Sequence, residues 1–163
     1  MHKWRSEEHA ILVGTTTVIA DNPKLNVRTW KGEHPVRVVL DRNLRIPKEA
    51  HVLDGSVKTI VITEKKEYQF EFSKELVFEQ INFDNSIAQQ ICDVLQRHQI
   101  QSVIIEGGTK TLQTFIDDNV WDEARVFVGD VTFVKGVKAP VLLEREQTEV
   151  RIKNDGLKRV IND

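Results

Sequence analysis

The chain has 163 residues, 40% of them hydrophobic and 29% charged, with a formal net charge of −2. That length and mix fit one globular domain, residues 1–163, with a core large enough to need no disulfide or metal staple. The near-neutral balance and the interspersed signs exclude a broad electrostatic footprint for nucleic acid or an anionic membrane, so any anion site must be local.

Residues 3–9 read as a helix leading into the apolar run Ala10-Ile11-Leu12-Val13, a buried strand that stops at Gly14. The hydroxyl-rich stretch 15–20 follows, then the turn Asp21-Asn22-Pro23-Lys24, where Pro23 biases Asn22 away from helix. Residues 25–28 are expected to leave that turn extended. Residues 35–41, 57–63 and 77–83 read as three further strands. Asn85 or Ser86 is placed to cap a helix that carries Ile87, Ile91, Val94 and Leu95 on one face and ends near His98. Residues 102–105 form the next buried strand, and Glu106-Gly107-Gly108 turns it into a helix over 109–118 with Leu112, Phe115 and Ile116 inward. Residues 124–128 and 131–134 read as strands, and 150–152 with 157–161 as a hairpin around Asn154-Asp155-Gly156.

Short apolar strands alternating with helices predict an α/β fold of three layers, a mostly parallel sheet between helices. The strand-rich tail predicts antiparallel edges, making the sheet mixed. Cys92 is the only cysteine. It excludes an internal disulfide, fits a reducing, cytoplasmic setting, and its apolar neighbours predict a buried structural thiol. Residues 1–5 carry no apolar leader, and no run approaches the ~18 apolar residues of a membrane span.

Two places combine a strand's carboxyl end with suitable chemistry. At Glu106-Gly107-Gly108-Thr109-Lys110-Thr111, glycines allow backbone N–H groups close to a ligand, and the helix N-terminus is partly positive, which suits a pyrophosphate. The same residues equally describe a plain strand-to-helix turn, with Glu106 an acid favoured by the helix dipole. The spacing matches neither the P-loop nor the Rossmann glycine pattern. Residues 14–28 offer a run of hydroxyls, a rigid turn and Arg28, whose planar fork suits a phosphate. Taken singly, Asp21 is an ordinary turn former and Arg28 an ordinary solvated charge.

Read together, "AILVGTTTVIADNPKLNVR", "PVRVVLD" and "SVIIEGGTKTL" resemble the reductase domain of the bifunctional riboflavin-biosynthesis deaminase–reductases, and the resemblance covers residues 4–129. "WDEARVF" at 121–127 is similar to that family's acidic segment before a late strand. The resemblance implies a dihydrofolate-reductase-like fold. It also implies NADPH-dependent reduction of the ribosyl group of 5-amino-6-(5-phosphoribosylamino)uracil to a ribityl group, with hydride delivered to the sugar C1′. Carried over by motif position, Thr17 and Asp21 contact the dinucleotide. Gly108, Thr109, Lys110, Thr111, Leu112, Gln113 and Thr114 cradle its phosphates, and Arg42 lies toward its adenosine side. Arg5, Leu25 and Arg28 match substrate positions, with Arg28 the partner of the sugar phosphate. Glu106 matches a substrate-binding acid that assists catalysis.

The family's first strand, with its lysine, and its zinc deaminase half are not in this sequence. The expectation is therefore an N-terminally truncated domain whose parent carries a zinc deaminase domain, with a homodimer formed through the late strands. Dispersed histidines (His2, His9, His34, His51, His98) beside a lone cysteine predict no metal site here. Two alternatives stay open: a dihydrofolate-reductase-type enzyme for another heterocycle, and a non-catalytic module that binds nucleotide or dimerises.

Overall fold

A computed structural model describes residues 1–66, 74–132, 135–143 and 147–162. In chain order the elements are α1 (His2–Glu7), β1 (Ala10–Gly14), α2 (Thr15–Asp21), β2 (Val36–Leu40), a 3-10 turn (His51–Leu53), β3 (Thr59–Thr63), β4 (Leu76–Gln80), α3 (Ile87–Arg97), β5 (Val103–Gly107), α4 (Thr109–Asp117), β6 (Glu123–Val128), β7 (Gln147–Ile152) and β8 (Asp155–Ile161).

Five strands form a parallel sheet in the order β4-β3-β2-β1-β5. Every residue of β1 and β3 is buried, as expected of parallel strands covered on both faces. Alternation along β1 splits the core in two. Ala10 and Leu12 join Val38, Ile60, Ile62, Ile91, Val94 and Phe115 under α3 and α4. Ile11 and Val13 join Val18, Leu25, Val39, Ile46 and Val52 on the opposite face, under α2 and the loops. Two buried layers around one sheet make the expected three-layer α/β architecture.

The antiparallel strands pair only with each other among the described residues, in a second sheet ordered β6-β8-β7. The sequence placed them as edges of one mixed sheet. Alternation alone says which face is apolar, not which ladder a strand joins.

Local departures have physical causes. Residues 15–21 are helical, because Thr15 and Val18 are buried and Thr15 Oγ1 donates to Leu40 O at 2.8 Å and Asp41 Oδ1 at 3.0 Å. These contacts override the poor helix propensity of β-branched threonines. Asn22 closes that helix in the left-handed region (φ 40°), and Leu25 is also left-handed (φ 51°) instead of extended. In α4, Thr111 and Phe115 are buried, whereas Leu112 and Ile116 are half-buried. Val131 and Thr132 are not strand, and residues 133–134 of that expected strand lie outside the described residues. The β7–β8 turn is Lys153-Asn154, with Lys153 left-handed (φ 57°), one step earlier than the Asn-Asp-Gly reading. Gly156 lies within β8, where a Cβ would approach Glu149 Oε1 to 2.9 Å. Cys92 is half-buried, and burial raises its thiol pKa above the ordinary value. Among the described residues, no helix is long and apolar enough to cross a membrane, and no group of three or more His, Cys, Asp or Glu is placed to hold a metal ion.

Candidate active site

Strand order places the site. From β1 the chain steps to β2, β3 and β4, then returns to the far side of β1 as β5. The helix after β1 covers one face of the sheet and the helix after β5 the other. The carboxyl ends of β1 and β5 are thus a topological switch point, where open α/β sheets hold ligands. Both motifs singled out in the sequence start there.

The turn after β5 is tight. Gly107 has φ 141°, a conformation that favours glycine, and the Gly107–Gly108 peptide is cis. A Cβ on Gly108 would lie 3.2 Å from Thr17 Oγ1, so the turn runs against α2 with no room for a side chain. Across the same junction, a Cβ on Gly14 would lie 2.4 Å from Thr111 Oγ1. The N-terminus of α4 has no side-chain cap, and its first N–H groups lack partners within the helix.

Glu106 is aimed by an irregularity. The β1–β5 register runs Leu12↔Ile105 and then Val13↔Gly107, passing over Glu106. Such a bulge re-aims a side chain. The Glu106 carboxylate meets Arg5 of α1 in a two-point contact, Nε to Oε1 at 2.7 Å and Nη2 to Oε2 at 2.6 Å, with both side chains 13% exposed. Arg5 Nη1 also donates to Asn26 O at 3.3 Å. One guanidinium therefore ties together α1, the end of β5 and the 22–28 loop. Helix α1 is itself anchored on the second sheet, where Trp4 packs 5.7 Å from the Phe127 ring and the Arg125 guanidinium lies 4.5 Å over Trp4.

The remaining expected site residues are distributed around this centre. Thr17 is half-buried at the glycine turn, and Leu25 is buried. Asp21 and Arg28 are exposed, and among the described residues neither side chain has a hydrogen-bond or ion-pair partner. On α4, Thr109 Oγ1 donates to Lys138 O at 2.7 Å, Thr114 Oγ1 to Lys110 O at 2.9 Å, and the Gln113 amide clamps the backbone of Val141. With Thr111 buried against Gly14, that turn offers a ligand its backbone and the exposed Lys110 side chain. Arg42 stands apart, past the end of β2, paired with Glu64.

No sequence signal marks two histidines that shape the loop. His34 Nδ1 accepts from Val27 N and His2 Nδ1 from Arg28 N, each at 3.2 Å, so both rings use Nδ1 as an acceptor. Asp41, buried at the end of β2, spends its oxygens on Thr15 Oγ1 and Ile46 N and is structural.

The family profile of the RibD C-terminal domain matches residues 1–163. The chain belongs to the RibD C-terminal domain family. It is 35% identical over 138 residues to the riboflavin biosynthesis protein RibD of Aquifex aeolicus, covering 83% of this chain and 39% of that one. It is 29% identical over 167 residues to the 2,5-diamino-6-ribosylamino-4(3H)-pyrimidinone 5′-phosphate reductase of the same organism, covering 99% of this chain and 70% of the relative. Among solved structures, the diaminohydroxyphosphoribosylaminopyrimidine deaminase/5-amino-6-(5-phosphoribosylamino)uracil reductase of Thermotoga maritima superposes with a TM-score of 0.79 at 29% identity, over 99% of this chain and 47% of that one. The chain thus spans less than half the length of the Aquifex RibD protein and of the Thermotoga enzyme. The dihydrofolate-reductase-like α/β architecture expected from the sequence is the fold this RibD-type domain adopts.

Proposed function

We propose that this domain reduces the ribosyl group of 5-amino-6-(5-phosphoribosylamino)uracil to the ribityl form in riboflavin biosynthesis, with NADPH as cofactor. One observation carries the reading. In a chain matched end to end by the RibD C-terminal family, Arg5, the 22–28 loop and Glu106 meet at the switch point beside the glycine turn.

The residues fit a dinucleotide. The Gly107–Gly108 turn is a cradle that a Cβ would fill, and the first N–H groups of α4 suit a pyrophosphate. When bound, the nicotinamide supplies the hydride for the sugar C1′. In this proposal Thr17 and Asp21 hold the dinucleotide, Gly108 through Thr114 hold its phosphates chiefly through backbone groups, and Arg42 lies at its adenosine end. The exposed Arg28 fork takes the sugar phosphate. Leu25 shapes the loop floor, and Glu106, held by Arg5, orients the sugar and pyrimidine so that C1′ faces the nicotinamide.

A homodimer belongs to the same proposal. Register sets Phe127, Leu157 and Val150 in one row across the second sheet, and Val150 and Ile152 on that face are 60% and 43% exposed. A cytoplasmic setting is proposed on the single cysteine. A zinc deaminase neighbour in the parent protein is proposed from the Thermotoga relative, whose name joins both activities.

The test is loss of NADPH absorbance with the deaminated pyrimidine phosphate as substrate. The expected result is oxidation with that substrate and none with dihydrofolate. Oxidation with dihydrofolate alone refutes the proposal. NADPH quenching of tryptophan fluorescence without turnover points instead to a nucleotide-binding module.

A further inference from the structure

We propose that Glu64 is a specificity-determining residue for the nucleotide: by holding Arg42, it limits how strongly the adenosine end favours a 2′-phosphate over a 2′-hydroxyl. The inference rests on the nucleotide reading above.

Arg42 follows β2 and Glu64 follows β3, at adjacent carboxyl ends of the parallel sheet. Their backbones are pinned, since Glu64 N and Thr63 Oγ1 both donate to Arg42 O, at 3.1 and 3.0 Å. The side chains form a two-point pair, Arg42 Nε to Glu64 Oε2 at 2.9 Å and Nη2 to Oε1 at 3.0 Å. A second carboxylate, Asp84, lies 3.7 Å from Nη2, and the guanidinium sits 5.3 Å over the Phe83 ring. The Arg42 hydrogen bond holds the Glu64 carboxyl below its ordinary pKa, outweighing partial desolvation, so the pair is charged at neutral pH.

Beside this pair opens a cavity of about 460 Å³, lined by Glu64, Gln80, Ile81, Asn82, Asp84 and Gln90. Its amides are partly committed internally. Gln80 Nε2 donates to Glu64 O, Gln90 bonds both N and O of Asn82, and Asn82 Oδ1 accepts from Asp84 N. The charged groups left to a ligand there are the two carboxylates, which are acceptors, beside the Asn82 side-chain N–H groups and Gln80 Oε1.

Nucleotide-binding α/β folds read the ribose in two ways: an acid accepts from the 2′-hydroxyl, or an arginine receives the 2′-phosphate. Here both devices occupy neighbouring strand ends and bind each other. A 2′-hydroxyl can donate to Glu64 without breaking the pair, because a carboxylate has lone pairs beyond the two in use. A 2′-phosphate meets a guanidinium whose charge Glu64 already balances, reaches only the N–H groups outside the pair, and sits beside two like charges. Glu64 and the 2′-phosphate therefore compete for one guanidinium, and Glu64 holds the preference for NADPH down.

Calorimetric titration with 2′,5′-ADP and with 5′-AMP tests this on the intact chain, wild type against Glu64→Gln and Glu64→Ala. The expected result is that either variant tightens 2′,5′-ADP by about fivefold or more, the range of a modest coupling, while 5′-AMP becomes no tighter. The gain is expected to vanish when Arg42→Gln is added. An unchanged ratio of the two affinities overturns the proposal. Failure of both probes to bind, in a protein that still binds NADPH, also overturns it by placing the adenosine end elsewhere. Failure of NADPH itself to bind refutes the nucleotide reading beneath it.

Discussion

Arg5 and Glu106 lie 101 residues apart in the chain and form the most enclosed charge pair at the switch point, each 13% exposed. Two short charge-assisted hydrogen bonds at low exposure mean that removing one partner strands the other. Glu106→Leu or Arg5→Met alone is expected to cost on the order of 3 kcal/mol. In a domain of this size that lowers Tm by about 6–12 °C. The double variant is expected to recover much of the loss, because a well-packed apolar pair replaces a desolvated ionic one. A double-mutant cycle from urea unfolding should therefore give a coupling of about 1.5 kcal/mol or more. The functional arm uses Glu106→Gln, which keeps the shape. It is expected to lower kcat/KM for the pyrimidine phosphate by about tenfold or more, the worth of one hydrogen bond to a charged group. NADPH affinity is expected to stay unchanged. Additive single effects, with coupling below about 0.5 kcal/mol, would show that the contact does not hold α1 to β5. Unchanged turnover in Glu106→Gln would remove Glu106 from the substrate site.

Arg28→Ala is expected to raise the substrate KM by about tenfold, from one lost charged contact, with kcat little changed; steady-state kinetics with unaltered KM refutes the phosphate assignment. Burial pushes the Asp54 carboxyl up, but hydrogen bonds from Ser56 and the buried Arg37 overcome it and hold it at about 2, against an ordinary 3.8. Its folded value is depressed, so the associated stability is present above that ordinary value and is lost as pH falls toward 2. Asp54→Asn is expected to flatten that part of an acid-unfolding curve, by about 1 kcal/mol or less given the 36% exposure of the side chain; an identical acid limb in wild type and variant refutes it. Val150→Asp is expected to shift the protein from dimer to monomer in light scattering, while a variant that stays dimeric removes the second sheet's apolar row from the interface.

What was legible in the sequence follows the reach of each signal. The helix at 87–97, a cap at Asn85 or Ser86 and an inward face with Ile91, Val94 and Leu95 depend on neighbours a turn apart, and period and capping state them directly; the structure puts the cap on Ser86 and buries Ala88 more deeply than Ile87. The glycine turn after β5 was legible for the same reason. Contacts that decide the rest are long-range. Nothing near Thr15 announces that Leu40 O and Asp41 will accept its hydroxyl and fix a helix on a threonine run. The Asn154-Asp155-Gly156 turn announces that Gln147–Ile152 will pair with β8, but nothing near it says that the pair will stay apart from the parallel sheet.

The same limit applies inside the candidate site. Motif position assigns Arg5 and Glu106 to the substrate side and is silent on their contact with each other. The bulge that passes over Glu106 and the anchoring of α1 through Trp4 turn them toward each other. Arg42, assigned by motif position to the adenosine side, is likewise half of a pair. In both cases an arginine's identity was visible in sequence and its available charge was not. Residue type fixes what a group can donate, and the fold decides how much of that capacity is already spent. Arg28, alone among these arginines in having no side-chain partner among the described residues, is accordingly the one whose full fork remains for a phosphate.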